Sequence, residues 1–176
     1  MNERFTYNEL VFDGRIAKVH RVGVPMPDGK VVEREWIRYP GAAIVLPVLD
    51  DGSIALIRNV RFAVGESLWE LPAGLLDDGE DPALCAAREL TEETGFTAGR
   101  ITKLGRFYTG PGTTDEVMHA YLAESLSRGP QRLETYEEIT VHVLPQAKVR
   151  EMTLNGEIHD GKTIAALALY WLNPKS

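Results

Sequence analysis

One cysteine, Cys85, stands among the 176 residues. It cannot close an intrachain disulfide, and no ligand-spaced Cys or His accompanies it, which suits a reducing, cytoplasmic setting. Long apolar runs are also missing. The longest, 42–49 and 164–172, fall well short of a membrane span, so no membrane partner is expected. The opening Met1-Asn2-Glu3-Arg4-Phe5 lacks the basic-then-apolar order of a secretion signal. Positive charge is scarce: 19 Lys and Arg against 26 Asp and Glu leave a net charge of −7. A binder that displaces counterions from nucleic acid needs a basic face, so that class is disfavoured. A phosphate-bearing small molecule stays admissible, because a bound divalent metal inverts the local field. Repeats, low-complexity tracts and a dividing linker are absent too. What remains, 44% hydrophobic and 26% charged, is the balance of a soluble globular domain.

The first forty residues read as strands. Residues 11–24 alternate loosely, Pro27-Asp28-Gly29 signals a turn, and 30–39 resume an extended pattern. Residues 42–49 suit a buried strand, Asp50-Asp51-Gly52 a turn, and 53–58 its hairpin partner. Asp81 is a fitting N-cap and Pro82 a fitting first residue for a helix over 83–94, closed by Gly95. Strands follow at 104–109, 117–123 and 139–144, then a short helix at 145–154 and a final one at 160–172 with Pro174 beyond it. Strands flanking a central helix, with a terminal helix, predict an α/β (α+β) domain.

The central helix breaks local rules. On a helical wheel Glu89, Glu92 and Glu93 fall within roughly 100° of one another, beside Cys85. Ala83, Leu84, Ala87, Leu90 and Thr94 gather opposite, which predicts a core face and a carboxylate face. Arg88 and Glu92 are spaced to touch, whereas Glu89 and Glu93 repel at i, i+4. All three glutamates also crowd the helix C-terminus, where the macrodipole disfavours anions by about 0.3–1 kcal/mol each. A solvated acidic face is the ordinary explanation for such a cluster. A divalent cation held by carboxylates one turn apart would supply the missing compensation.

The same helix carries a signature: Gly74, five residues, Glu80, seven residues, then Arg88-Glu89-Leu90-Thr91-Glu92-Glu93-Thr94-Gly95-Phe96. It resembles the Nudix box of the Nudix hydrolases, departing only at Phe96, where that pattern prefers an aliphatic residue. The resemblance implies an α/β/α sandwich around a mixed β-sheet. It also implies hydrolysis of a nucleoside diphosphate linked to another group, with Mg²⁺ or Mn²⁺. On the matching positions it makes Glu89 and Glu93 the metal-binding, catalytic carboxylates, adds Glu92 for a further metal, and makes the Ala73 carbonyl a ligand. Glu80 reads as structural.

Leu71-Pro72-Ala73-Gly74-Leu75-Leu76 and Pro111, 15 residues past Phe96, resemble the ADP-ribose pyrophosphatases. So do 57–65 and 108–116. This likeness implies that Arg61 holds the diphosphate, that Gly112 and Glu116 position substrate, and that a glutamate of the acidic loop 134–138 reaches the metals or the attacking water. Glu137 aligns best there, with Glu134 and Glu138 behind it. Trp36, Tyr39 and Glu35 are candidate contacts to the base or ribose, although strand aromatics usually pack in cores. His20, His119, His142 and His159 show no metal spacing and read as packing or surface residues.

The implied reaction is cleavage of ADP-ribose to AMP and ribose 5-phosphate. The alternatives are a related substrate, such as GDP-mannose, a dinucleotide or a nucleoside triphosphate, and a domain that senses such a nucleotide without cutting it. The division expected is an N-terminal antiparallel β region, 1–40, ahead of a hydrolase domain, 41–176. In the resembling subfamily such a region builds a homodimer whose partner chain completes the site.

Overall fold

The computed structural model describes residues 4–135 and 137–172. Met1–Glu3, Tyr136 and the stretch containing Pro174 lie outside them. Among these described residues, 4–41 and 108–117 form one compact unit, and 42–107 with the described residues from 118 on form a second.

In the first unit β-branched residues build an antiparallel sheet, β1 (Asn8–Asp13), β2 (Lys18–Pro25) and β3 (Val31–Arg38), in that order. The β2–β3 turn falls where Pro27-Asp28-Gly29 predicts it, with Gly29 at φ 82°. Residues 11–24 are not one stretch, however. The chain reverses after Gly14, whose N–H donates to the Ala17 carbonyl at 3.1 Å. A Cβ at Gly14 would run into that carbonyl oxygen and the Phe12 ring. The loop 109–116 joins this unit through β3: the Ile37 N–H donates to Thr113 O at 2.8 Å, and the Tyr39 N–H to Asp115 Oδ1 at 3.1 Å.

The second unit is organised by β4 (Ala42–Pro47), which is buried at all its positions. Its alternation feeds two cores. Ala42, Ile44 and Leu46 pack with Val149 and Met152 of α2 (Gln146–Leu154) and Ala166 and Leu167 of α3 (Gly161–Trp171). Ala43 and Val45 pack with Cys85, Ala86 and Leu90 of α1 (Pro82–Thr94). Helices therefore cover both faces, the α/β/α sandwich that the resemblance implies. Strand β4 pairs antiparallel with β7 (Ala73–Leu75) and parallel with β9 (Val117–Arg128), whose other neighbour is β8 (Phe96–Tyr108), so the sheet is mixed. No helix among the described residues is long and apolar enough to cross a membrane.

The expected hairpin of 42–49 with 53–58 does not form as a ladder. The turn is present, with Gly52 at φ 81°, but its arms meet only next to the turn, through the Val48–Ile54 bridge and the Leu49 N–H donating to Ser53 O at 2.9 Å. β5 (Ile54–Arg61) leaves for a second sheet between β10 (Ile139–Leu144) and β6 (Glu66–Glu70). A turn fixes reversal, whereas partner choice follows burial: both strands are buried on two faces and take two neighbours each. Strands β6 and β7 lie in a stretch without readable periodicity and were not expected.

Candidate active site

The caps of α1 are those its sequence predicts. Asp81 accepts from the Ala83 N–H, Pro82 opens the helix, and Gly95 closes it at φ 74° with its N–H on Thr91 O. The burial of its faces corrects the wheel. Cys85, Ala86, Glu89, Leu90, Glu93 and Thr94 are the buried set, and Leu84 is 66% exposed. The carboxylate side thus faces inward, against β7. Gly74 on that strand leaves room for Glu89: a Cβ there would overlap the Glu89 carboxylate. Next to it the Ala73 N–H donates to Glu93 Oε2 at 2.9 Å. Glu93 is 3% exposed. Burial pushes its carboxyl well above the ordinary range, and the neighbouring charges of Glu89 and Glu137 push it further. Burial also raises Glu89, against the pull of Arg88, with Glu92 and Glu137 adding to the rise.

Arg88 spends its donors on its neighbours. It grips Glu80 through Nε and Nη2 at 3.0 Å each, and gives Nη1 to Glu89 at 2.5 Å and to Glu92 at 3.1 Å. Its fourth partner is the Leu75 carbonyl, at 3.1 Å. The Arg88 fork holds the Glu80 carboxyl down at about 2, the structural role expected for that glutamate. Burial pushes the Cys85 thiol up to about 12, which makes it inert packing.

Arg61, at the end of β5, donates Nε to Glu70 Oε1 at 2.8 Å and Nη2 to Oε2 at 2.5 Å. Glu70 is 1% exposed, and no sequence motif singles it out. Its signal is a lone charge between Trp69 and Leu71. The next residue is braced from α3: the Leu71 N–H donates to Thr163 Oγ1 at 2.9 Å, while Asp160 caps α3 by accepting the Thr163 N–H. Arg61 also feels the charge of Glu93, so the two share one region.

In the first unit Glu35, Trp36, Pro111 and Gly112 line a cleft of about 340 Å³, with Phe5 and Arg34. Trp36 packs against the rings of Phe5 and His20, centroids 5.5 and 4.9 Å away. Glu116 does not line this cleft. It accepts the Thr109 hydroxyl, and its N–H donates to Thr114 Oγ1 at 3.2 Å. His142 packs edge-on to Trp69, and His159 sits 3.5 Å from Glu66.

Among the described residues, no three His, Cys, Asp or Glu side chains converge closely enough to hold a metal ion as they stand. Glu89 and Glu92 are both turned to Arg88 Nη1. The donor chemistry nevertheless fits a hard divalent cation. It is all oxygen, Glu93 is buried with a neutral N–H as donor, and the Gly74 cradle keeps Glu89 beside it.

The NUDIX domain family model matches residues 38–167. The ADP-ribose pyrophosphatase of Bacillus subtilis (strain 168) is 37% identical over 169 residues, 95% of this chain and 91% of that one. The ADP-ribose pyrophosphatase of Mycobacterium tuberculosis is 39% identical over 164 residues, covering 91% and 79%. A crystal structure of an ADP compounds hydrolase superposes with TM-score 0.83 at 25% identity, covering 98% of this chain and 95% of that one. With its box on α1, its sandwich fold and these relatives, the chain belongs to the NUDIX family of hydrolases.

Proposed function

We propose that this hydrolase cleaves the diphosphate of a nucleoside diphosphate sugar, ADP-ribose foremost, to give AMP and ribose 5-phosphate. The observation that carries this is the pair of buried carboxylates, Glu89 and Glu93, cradled by Ala73 and Gly74. The relatives that share most of the chain act, by name, on ADP-ribose. Glu89, Glu92, Glu93 and the Ala73 carbonyl would hold Mg²⁺ or Mn²⁺, whose chemistry is charge neutralisation on phosphate and a lowered pKa of bound water. Arg61 contributes its guanidinium to the phosphate oxygens, its plane already fixed by Glu70. Glu137 orients the attacking water and takes its proton at a carboxylate oxygen. The water oxygen bonds to one phosphorus, and the bridging oxygen leaves with the other phosphate. Trp36 and Glu35 face the base or ribose, and Gly112 and Glu116 position the substrate from the loop that carries Pro111. A cytoplasmic homodimer completes the reading.

The test is a substrate panel of ADP-ribose, GDP-mannose, a dinucleotide and a nucleoside triphosphate, with Mg²⁺ or Mn²⁺, read by product identity. AMP with ribose 5-phosphate is the expected result. Glu93→Gln should lower turnover about a hundredfold or more with its circular dichroism unchanged. Near-normal turnover of that variant rejects the assignment. Calorimetric binding of ADP-ribose without any product would instead mark a sensing domain.

A further inference from the structure

The last carbonyls of an α-helix have no partner within it. In α1 they are met by the strap that follows β9. The Gly129 N–H donates to Gly95 O at 2.7 Å, the Arg132 N–H to Glu92 O at 2.9 Å, and the Gln131 side-chain amide to Glu93 O at 2.6 Å. The strap lies directly on the helix end. A Cβ on Gly95 would come within 3.0 Å of the Pro130 carbonyl carbon and 3.1 Å of Gln131 N. Gly95 is thus required twice, for its left-handed φ and for this crossing. Glu137 follows Arg132 by five residues in the sequence, and its charge adds to those acting on both Glu89 and Glu93. Downstream the chain is fixed again where Ile139 pairs with Asn59 of β5. Between these anchors the Glu134 N–H donates to Glu137 Oε2 at 2.9 Å and the Glu137 N–H to Glu134 O at 3.0 Å.

We propose that Gln131 is a positioning residue: its amide clasps the strap to the Glu93 carbonyl and so fixes the start of the loop that carries Glu137. The clasp works because Gln131 donates. A helix C-terminus is negative, so a donor or cation there is favoured and a carboxylate is not. The inference rests on the role proposed above for Glu137.

The experiment compares Gln131→Ala, Gln131→Lys and Gln131→Glu in the full chain, each alone and with Glu137→Gln, using ADP-ribose and Mg²⁺. One hydrogen bond of this kind corresponds to about a three- to tenfold loss. Gln131→Ala should lose that much kcat with KM within about twofold of normal. Gln131→Lys, which keeps a donor of sufficient reach, should recover it, and Gln131→Glu should not. In metal-free protein, hydrogen exchange at the Arg132 amide should quicken in Gln131→Ala and Gln131→Glu only. On a Glu137→Gln background Gln131→Ala should add no further loss, because its effect passes through that carboxylate. A slow Glu137→Gln beside a normal Gln131→Ala overturns the clasp alone, as do additive losses or a failure of Gln131→Lys to rescue. A normal rate in Glu137→Gln by itself overturns the role of Glu137, and the clasp's catalytic purpose with it.

Discussion

Gly74 matters for what it lacks. Its hydrogen leaves the volume that the Glu89 carboxylate fills, so Gly74→Ala puts a methyl group into a charged oxygen pair. Overpacking of this kind costs about 1–3 kcal/mol. The cheaper escape is for Glu89 to swing away, so turnover should fall at least about tenfold while the melting temperature drops by only a few degrees. Steady-state kinetics beside a thermal melt measures both; a normal rate means the cradle has no catalytic consequence. Glu70 is the opposite case, a side chain needed for its charge. Glu70→Gln keeps volume but removes the carboxylate that receives both Arg61 donors. The loss is about 1.5–3 kcal/mol for hydrogen bonds to a charged group. If Arg61 holds phosphate, KM should rise more than kcat falls, since a loosened guanidinium weakens binding first.

At the level of elements, α1 couples the site to pH. Burial raises the carboxyls of Glu93 and Glu89 in the folded chain above their unfolded values. Their protonated forms therefore favour folding: that contribution is intact below the unfolded pKa of about 4.3 and is lost as pH climbs through the raised folded values. Glu80 runs the other way, because Arg88 lowers it to about 2. Its contribution is present above the unfolded value and lost as pH falls toward that figure. Metal-free protein should then melt at a higher temperature at mildly acidic pH than at pH 8. Glu93→Gln should flatten the slope, and so should excess Mg²⁺. A flat profile for the metal-free wild type would contradict the buried charge. This helix was the most legible element in the sequence, since Asp81, Pro82 and Gly95 act through local backbone chemistry. Its inward face was only partly legible: Leu90 and Thr94 are buried where the wheel has its core face, but Glu89 and Glu93 are buried too, while Leu84 of the expected core face is exposed. The difference comes from β7, a three-residue strand too short for any period to show. The strand partners of β4 and β5 were hidden for a related reason: ladders between distant segments leave no local trace, so a good turn at Gly52 suggested a hairpin ladder, whereas the two strands meet only beside the turn.

For the whole molecule, the proposed homodimer has its physical basis in the first unit. Leu10, Phe12 and Val31 are 47, 60 and 50% exposed on strands of a single three-stranded sheet, with Tyr7 and Ile16 similarly open. A sheet of this size is marginal unless its apolar residues are covered. A stable interface removes about 800 Å² from each partner, an area that a sheet can supply. Light scattering should therefore give twice the chain mass of 19.6 kDa. Leu10→Asp combined with Phe12→Asp should give the single mass, because two buried carboxylates facing a second copy cannot be desolvated without partners. The carboxylates of α1 belong to the second unit, where they contact Ala73 and Arg88. If the partner completes the substrate cleft, the monomeric variant should therefore show a raised KM with kcat less affected. A wild-type chain of single mass at working concentration would remove the dimer from the account. A monomeric variant with unchanged KM would keep the dimer and deny it any part in binding substrate.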